Sequence, residues 1–422
     1  MTNRLAKLTV LALSSAVVLT GCGSNKDDNS SSDASSQAAT SAASAESKST
    51  ADPASFKPAC PAGTLNGAGS SAQANAINQV IQDYAAACPK TKINYTPSGS
   101  GAGIESFIGK QVDFAGSDSA LNPDKGEVDK AKATCGADAW HLPLAAGPIA
   151  VVYNVDGVSK LNLKTETLAK IFAGQIKKWD DDAIKADNPD AKLPSENISV
   201  YYRADKSGTT DNFTKFLNKA AGDVWTEKHS KEWKGTGKGA DKSAGVTQAV
   251  KDNKNSISYT EWSYATKNNL NMAAIDNGNG PVELTGESAG KAVSAAKTAG
   301  EGNDLQLEMQ YKNTPKDVYP AVLVTYEIAC SSGNKNADVL KDFLSFYASQ
   351  DEQKKIQDLG YAPLPTDVSR RLWTPPRPSP DFQVVKPWCN ATHIASRHCR
   401  DVTTPSCGRA NRSGFVLPFM LN

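Results

Sequence analysis

Arg203 lies in the stretch YYRADKSGTT at residues 201–210, and the sequence has no other arginine between Leu5 and Ser369, although lysine is frequent there. Arginine offers five N–H donors in a rigid planar fork, which can hold a carboxylate or a phosphate through two parallel hydrogen bonds. Ser207 follows four residues later and begins a Ser-Gly-Thr-Thr cluster. A single guanidinium beside small hydroxyl residues indicates an oxyanion-binding site.

Two further clusters of small polar residues occur before predicted helices. GAGSSAQ at residues 67–73 and PSGSGAG at 97–103 join ADKSGTTDN at 204–212 in this respect. Each would leave unpaired backbone N–H groups at a helix N-terminus with a hydroxyl beside them, which binds an oxyanion without bulk positive charge. One such cluster is usually a turn or a helix cap. Three together, with Arg203 in the third, favour a binding site.

Strands and helices alternate around these clusters. Apolar runs predict strands within residues 92–101, 148–155, 198–205, 256–262 and 321–330. Helical spacing of apolar residues predicts helices within residues 72–89, 165–181, 245–253 and 336–360, with another from about residue 210. The second of these is predicted to close near Gly174. Such alternation predicts an α/β protein with mainly parallel sheets. Ligands of that class bind beyond the carboxyl ends of strands, where helices begin.

Residues 1–22 have the features of an export signal: a basic start, an apolar run from Leu8 to Leu19 and small residues before a cysteine. The apolar run is too short to cross a bilayer. Its final LTGC resembles the lipobox of bacterial lipoproteins, in which the cysteine, here Cys22, is acylated; a plain secretory signal is the alternative. Residues 23–56 are rich in Ser, Ala and Asp and predict a flexible tether.

Residues 370–422 differ in composition from the rest of the chain, with seven arginines against one lysine. We interpret this tail as an out-of-frame or foreign extension, with a genuine disordered tail as the alternative. Its three cysteines and two histidines do not have the paired Cys-x2-Cys spacing of zinc sites. We therefore leave it out of the fold and predict no metal site.

The composition of the remaining body excludes several classes of function. The formal net charge of the 422 residues is +1, and no basic stripe is interleaved with aromatic residues, so nucleic acid is not an expected partner. The body has two separated histidines, His141 and His229, and no evident catalytic triad or cofactor motif.

Disulfides persist in exported chains. The four cysteines of the body allow three pairings, and the sequence does not choose among them. We favour two disulfides over a catalytic or metal-binding role for these residues. The favoured pairs are Cys60 with Cys88 and Cys135 with Cys330.

Four blocks of the sequence resemble the PstS family, the phosphate-binding lipoproteins of bacterial phosphate ABC transporters. They are LNGAGSSAQ, YTPSGSGAGIESFIGKQVDFAGSDSAL, IFAGQIKKWDDDAI and ISVYYRADKSGTTDNFTKFL, and the resemblance covers about residues 60–369. It implies a type II periplasmic-binding-protein fold, with two α/β lobes, a hinge of two crossings and a ligand cleft between the lobes. It also implies phosphate delivery to a membrane permease, no catalysis, and a monomer anchored by lipid at the outer face of the cytoplasmic membrane.

The resemblance further implies the limits of the lobes. Lobe one would comprise residues 57–146 and 320–369, and lobe two residues 147–319. The chain would cross between them near Gly147 and Tyr319, with all four cysteines of the body in lobe one.

Matching positions imply the ligands of the phosphate. On one side, these are the hydroxyl of Ser71 with the amide of Ala72, and the hydroxyl of Ser100 with the amide of Gly101. The family usually has threonine followed by an aromatic residue at the first pair and a second serine at Gly101, so this side departs from the family pattern.

On the other side, the resemblance implies that Arg203 supplies the bidentate fork and that Asp205 orients it. The start of the third helix would present hydroxyls and amides from Ser207, Gly208 and Thr209.

Asp118, in the block AGSDSA, is the remaining implied ligand, although a carboxylate should repel an anion. Phosphate near neutral pH keeps a proton and can donate a hydrogen bond to a carboxylate, whereas sulfate keeps none. A buried acceptor facing another acceptor is costly, and sites built in this way reject the unmatched analogue by factors on the order of 10⁴ to 10⁵. We expect Asp118 to separate phosphate from sulfate.

Two alternatives belong to other functional classes. A secreted phosphatase would need a metal cluster or an activated nucleophile, for which the body shows no convincing residues. A binder of another oxyanion, such as sulfate or molybdate, or an adhesin that kept the fold, has no sequence signal of its own.

Overall fold

The computed structural model describes residues 56–373. The predicted export signal with Cys22, residues 23–55 of the predicted tether and residues 374–422 of the predicted tail lie outside the described residues.

The strands are β1 (Gly63–Gly69), β2 (Thr91–Thr96), β3 (Phe114–Ser117), β4 (Ala139–Asn154), β5 (Asn162–Lys164), β6 (Ser199–Arg203), β7 (Lys238–Ala240), β8 (Ser256–Glu261), β9 (Asn271–Met272), β10 (Ala274–Asp276), β11 (Pro281–Val282), β12 (Lys297–Thr298), β13 (Leu307–Glu308) and β14 (Val322–Cys330). The helices are α1 (Ala74–Ala87), α2 (Ser100–Ile108), α3 (Glu127–Cys135), α4 (Thr165–Phe172), α5 (Asp182–Asp187), α6 (Gly208–Ala220), α7 (Lys242–Asp252), α8 (Trp262–Lys267), α9 (Gly286–Ser294), α10 (Ala337–Ala348), α11 (Gln350–Gln357) and α12 (Thr366–Trp373).

A nine-stranded sheet runs through the fold in the order β2-β1-β3-β14-β4-β8-β6-β7, with β9 paired to β4. Pairing is parallel at both ends, where β1 joins β2 and β3, and β6 joins β8 and β7. Pairing is antiparallel in the centre, where β14 joins β3 and β4, and β4 joins β8. We call β2, β1, β3 and β14 the β1 side, and β8, β6 and β7 the β6 side.

The prediction of mainly parallel sheets is therefore correct at the ends and wrong in the centre. The reason is the 16-residue strand β4, which pairs along its first part with β14 and along its second part with β8. One strand thus belongs to both sides, and both of these neighbours run against it. The predicted strand at 148–155 is the second part of this longer strand.

Each side of the sheet has its own cluster of buried aromatic side chains. On the β1 side, Tyr84 of α1 makes an edge contact with Phe343 of α10 at 5.4 Å between ring centroids. On the β6 side, Phe213 of α6 stacks on Tyr259 of β8 at 4.4 Å, and Phe172 of α4 meets Phe213 edge-on at 5.0 Å. Burial of each ring contributes about 1.5–3 kcal/mol, so these clusters hold α1 against α10 and hold α4 and α6 against β8.

The predicted helix at 336–360 is two helices, because Ser349 interrupts it. Ser349 has an extended conformation, with φ −62° and ψ 148°, and its hydroxyl accepts from the backbone N–H of Glu352 at 3.3 Å. Serine followed three residues later by glutamate is a helix-start signature. That signature was present in the sequence and predicts the break between α10 and α11.

Both favoured disulfides are present and link elements of the β1 side. Cys60 before β1 bonds Cys88 at the end of α1, and Cys135 at the end of α3 bonds Cys330 at the end of β14. Within residues 56–373, no group of three or more His, Cys, Asp or Glu side chains could hold a metal ion. The same residues contain no helix long and apolar enough to span a membrane.

Candidate anion-binding site

The predicted site residues meet where β1, β3 and β6 end and the chain turns into loops or helices. β1 ends at Gly69, and the next residues lead into α1; β3 ends at Ser117, next to Asp118; β6 ends at Arg203, before α6. β1 and β3 run in the direction of β4 and β6 runs against it, so the carboxyl ends of the two groups of strands face each other near the middle of β4. The side chains that meet are all buried: Ser71, Ser100, Asp118, Arg203, Ser207 and Thr209.

Arg203 uses one edge of its guanidinium to bind Asp205. Nε donates to Oδ1 at 2.7 Å and Nη2 donates to Oδ2 at 2.6 Å. Burial acts to raise the pKa of Asp205, but hydrogen bonding and the charge of Arg203 outweigh it and lower that pKa. Asp205 therefore stays ionised and holds the guanidinium plane through two hydrogen bonds.

The other edge of the guanidinium faces the remaining site residues. Nη1 lies 3.4 Å from Thr209 Oγ1 and 3.2 Å from Ser243 Oγ. Since Nε and one N–H of Nη2 are used by Asp205, three of the five N–H groups are directed elsewhere. The pair of Nη atoms still forms a fork, so Arg203 can bind Asp205 and an anion at the same time.

Asp118 is a buried carboxylate surrounded by hydroxyl groups. The hydroxyls of Ser70 and Thr325 donate to Oδ1 at 2.6 and 2.7 Å. Those of Ser100 and Thr209 reach Oδ2 only at 3.4 and 3.5 Å. Oδ1 is thus well satisfied, whereas Oδ2 has only these longer contacts, one of them to the Thr209 hydroxyl that also contacts Arg203 Nη1.

The pKa of Asp118 reflects this position. Burial raises it above the ordinary aspartate value, while the hydroxyls of Ser70 and Thr325 and the positive charge of Arg203 lower it in part. The carboxyl group is therefore held in a buried setting in which an incoming hydrogen-bond donor would be favourable.

The loop between β1 and α1, which we call the first loop, places Ser71 against the β6 side. Its hydroxyl lies 3.0 Å from Ser243 Oγ and accepts from the backbone N–H of Ser243 at 3.2 Å. The backbone N–H of Ala72 donates to Ser70 Oγ at 3.1 Å. Both predicted groups lie at the site, and each has a protein partner here.

The second loop, between β2 and α2, brings Ser100 to the site. The backbone N–H of Gly101, by contrast, bonds to a protein group. Ser100 Oγ accepts from the backbone N–H of Asp118 at 3.1 Å. The backbone N–H of Gly101 donates to the carbonyl of Lys206 at 2.9 Å, and a Cβ at Gly101 would lie 2.5 Å from Lys206 Cβ. The Gly101 amide, expected to be an anion donor, here links the β1 side to the β6 side at a position where only glycine fits.

The start of α6 provides the third group. Ser207 is the N-cap, and its hydroxyl accepts from the backbone N–H of Thr210 at 3.1 Å. The amides of Gly208 and Thr209 belong to the first turn, where no carbonyl of the same helix can accept from them. Gly208 lies directly against Ser100 and Asp118, so this helix start faces the carboxylate across the site.

Three residues that the sequence reasoning missed complete the arrangement: Ser70, Ser243 and Thr325. Ser243 lies at the start of α7 and contacts both Arg203 and Ser71. A signal for it existed, because ADKS at residues 204–207 recurs at residues 240–243. β6 and β7 are paired in parallel with Arg203 opposite Ala240, so the two copies leave the sheet side by side.

Comparison with known proteins agrees with this geometry. The family model of the PBP superfamily domain matches residues 38–351. Phosphate-binding protein PstS 3 of Mycobacterium leprae is 41% identical over 370 residues, which cover 86% of this chain and 95% of the relative. The chain belongs to the PstS family. PstS of Xylella fastidiosa is 32% identical over 375 residues, covering 87% of this chain and 96% of the relative.

Solved structures support the fold expected of a PstS protein. A high-affinity periplasmic phosphate-binding protein solved with phosphate, PfluDING, aligns with a TM-score of 0.58 at 21% identity, covering 73% of this chain and 92% of that one. The phosphate-binding protein from Stenotrophomonas maltophilia aligns with a TM-score of 0.57 at 18% identity over the same shares. These likenesses confirm the predicted α/β, type II periplasmic-binding-protein fold.

One trio near the site of this PstS protein has the residue types of a hydrolase triad but a different order. Ser119 Oγ donates to Asp211 Oδ2 at 2.7 Å, and His229 Nδ1 lies 2.6 Å from Asp211 Oδ1. In a catalytic triad the histidine lies next to the serine and takes its proton. Here the aspartate separates them, so the imidazole is not hydrogen-bonded to the serine hydroxyl.

Proposed function

We propose that this protein captures inorganic phosphate outside the cytoplasm and delivers it to the membrane permease of an ABC importer. Its relatives are named phosphate-binding proteins, and they match most of its length. Such proteins bind and release a solute without changing it, and the separated Ser119 and His229 give no support to the phosphatase alternative.

The observation that carries the proposal is the pairing of a fork and an acceptor in one buried site. Arg203 directs Nη1 to the hydroxyls of Thr209 and Ser243, and the same Thr209 hydroxyl lies 3.5 Å from the less satisfied Oδ2 of Asp118. Phosphate uses both, because its charged oxygens accept from the fork and its hydroxyl donates to the carboxylate. Sulfate, which lacks that proton, would face Asp118 as one acceptor against another.

The proposed ligands follow from the same geometry. The fork of Arg203 holds phosphate oxygens, together with the amides at the start of α6 and hydroxyls from three loops. The residues are Ser71, Ala72, Ser100, Asp118, Arg203, Ser207, Gly208 and Thr209, with Asp205 orienting the fork. We add Ser243, whose hydroxyl contacts Arg203 Nη1, and omit Gly101 as a donor.

We further propose the lobe boundaries implied by the family, 57–146 with 320–369 and 147–319. Support comes from the closeness of the two expected crossings: Gly147 pairs in the β4–β14 ladder with Leu323, which follows Tyr319 along the chain. The hydroxyl of Tyr319 also donates to the carbonyl of Ile149 at 2.8 Å. A hinge at two adjacent strand positions allows the sides to move without breaking either core.

Contacts between the sides correspond to a closed cleft. Lys231 pairs with Glu127 at 3.3 Å, and Lys206 pairs with Glu105 at 2.5 Å. The Lys206–Glu105 pair is exposed and contributes at most about 1 kcal/mol, so it can open without a large cost. A binding protein needs weak contacts of this kind between its two sides, because it must open to release phosphate to the permease.

Calorimetric titration of the purified full-length mature protein tests this function. We expect phosphate to bind at one site per chain, sulfate to bind at least about 100-fold more weakly, and a phosphomonoester to remain unhydrolysed. Absence of phosphate binding, or equal binding of sulfate, contradicts the proposal. Release of phosphate from the ester would favour the phosphatase alternative.

The lipid anchor at Cys22 and the monomeric state also belong to the proposal. We expect Cys22→Ala to move the protein from the membrane fraction to the soluble fraction while phosphate affinity is unchanged. Intact-mass measurement of the membrane-bound protein should show the acyl groups and whether residues 374–422 are present. A Cys22→Ala protein that remains in the membrane fraction would exclude acylation as the anchor.

A further inference from the structure

Glu327 is a buried carboxyl group that the proposed phosphate site does not use. It lies in β14, and within residues 56–373 neither of its carboxyl oxygens has a hydrogen-bonding partner. An ionised carboxylate buried without partners is strongly disfavoured, whereas the neutral acid is tolerated. A buried polar group without partners in a native fold calls for an explanation.

Strand pairing places Glu327 near Asp118, on the neighbouring strand. Thr325 lies two residues earlier in β14, and its hydroxyl donates to Asp118 Oδ1 at 2.7 Å. Glu327 lies directly opposite Gly116 in the antiparallel pairing of β14 with β3. Opposed residues project from the same face of the sheet, so the Glu327 side chain projects into the space over Gly116.

That space is filled by polar groups connected to the first loop. A Cβ at Gly116 would overlap the side-chain amide of Gln73 and the hydroxyl of Tyr95. Gln73 Nε2 donates to Tyr95 Oη at 3.0 Å, and Tyr95 Oη donates to the carbonyl of Ser70 at 2.9 Å. The Ser70 hydroxyl in turn donates to Asp118 at 2.6 Å. A short polar chain therefore joins the surroundings of Glu327 to the proposed phosphate acceptor.

The titratable groups around Glu327 are mostly acidic. They are Asp118 after β3, Tyr95 on β2, Tyr347 on α10 and Glu261 on β8. His141 of β4 lies on the opposite face of the sheet, beside Tyr326. Burial raises the pKa of Glu327 to about 8, the charge of Asp118 adds to the rise, and the nearby amide of Gln73 opposes it. Glu261 differs because the backbone and hydroxyl of Ser263 donate to it.

We propose that Glu327, which does not itself contact the anion, is neutral in the binding-competent protein and that its ionisation sets the alkaline limit of phosphate binding. The inference rests on the proposed function. With Glu327 neutral, Asp118 is the charged acceptor for the phosphate hydroxyl. With Glu327 ionised, a second buried negative charge lies behind Asp118, repels the anion and disturbs the Gln73–Tyr95–Ser70 chain.

The test compares the wild-type protein with Glu327→Gln, which is uncharged at every pH and has nearly the same shape. Phosphate affinity is measured by calorimetry from about pH 7 to about pH 9.5, since the dissociation constant of the wild type should rise by roughly tenfold per pH unit above the pKa of Glu327. Glu327→Gln should match the wild type within about threefold near pH 7 and lack this additional rise. Glu352→Gln, which alters a buried glutamate on α11 that pairs with Lys355, is the control and should follow the wild type.

A second measurement does not depend on the variant folding. Phosphate binding to the wild type near pH 9, measured in two buffers of different ionisation enthalpy, should show net proton uptake, because Glu327 is ionised in the free protein and takes up a proton in the complex. Inorganic phosphate is almost wholly the dianion at this pH and binds with its one proton unchanged. Parallel affinity profiles for wild type and Glu327→Gln, or no proton uptake by the wild type, overturns the inference. Failure of the wild type to bind phosphate near pH 7 would instead contradict the proposed function.

Discussion

Arg203 and Asp205 are joined by two parallel hydrogen bonds, Nε to Oδ1 at 2.7 Å and Nη2 to Oδ2 at 2.6 Å. The two residues are separated by one position, at the end of β6. This pair explains why one guanidinium occurs in a body that otherwise uses lysine. A lysine could hold Asp205 or an anion, but its single nitrogen cannot present one edge to each.

Arg203→Lys should therefore weaken phosphate binding while the charge is kept. We expect a loss of about 1.5–3 kcal/mol, the scale of a charge-assisted hydrogen bond. Calorimetric titration measures it, with Lys219→Arg, on the exposed part of α6, as a control that should leave affinity unchanged. An Arg203→Lys affinity within about twofold of wild type would show that the fork is not used.

Asp118→Asn should change selectivity more than affinity. Oδ1 already accepts from Ser70 and Thr325, so the group that changes toward the ligand is the one at Oδ2. An amide there can donate to sulfate, which then begins to compete, while phosphate weakens modestly. Both anions are titrated at one pH and salt concentration, with exposed Asp124→Asn as the control. A phosphate-to-sulfate ratio that stays within about threefold of wild type would exclude Asp118 as the discriminating residue.

Gly208→Ala should prevent the two sides from closing on phosphate. A Cβ there would overlap Ser100 Oγ and lie 2.7 Å from Asp118 Cβ. We expect at least about a tenfold loss of affinity, while thermal unfolding without phosphate is little changed, because alanine favours helix at this first position of α6. Gly245→Ala in α7 is the matched control, since its Cβ would meet its nearest neighbour at 3.5 Å. Equal affinities of the two variants would contradict a closed site at Gly208.

Ser243→Ala tests one of the three site residues that were recognised from the structure. It removes a hydroxyl that contacts Arg203 Nη1 at 3.2 Å and Ser71 Oγ at 3.0 Å. Loss of one buried hydrogen-bonding group should weaken phosphate by about 1 kcal/mol, measured by calorimetry. Ser294→Ala, at the exposed end of α9, should have no effect. A Ser243→Ala affinity equal to that of Ser294→Ala would exclude Ser243 from the site.

The sequence by itself determined the local features of this protein. Apolar spacing predicted α1, and a terminal glycine predicted the end of α4, because helix periods and caps depend on neighbours within a few residues. The clusters before α1, α2 and α6 and the fork at Arg203 could be found for the same reason. The break at Ser349 was also local, and its capping signature was missed.

Tertiary structure alone decided which distant groups share the site. Ser71 meets Ser243 across 172 positions, and Thr325 meets Asp118 across 207. It also decided that the amide of Gly101 is used by Lys206 and that Glu327 projects behind Asp118. These relationships depend on antiparallel register in the centre of the sheet. Register is set by packing between strands that are far apart in the chain, and no local spacing encodes it.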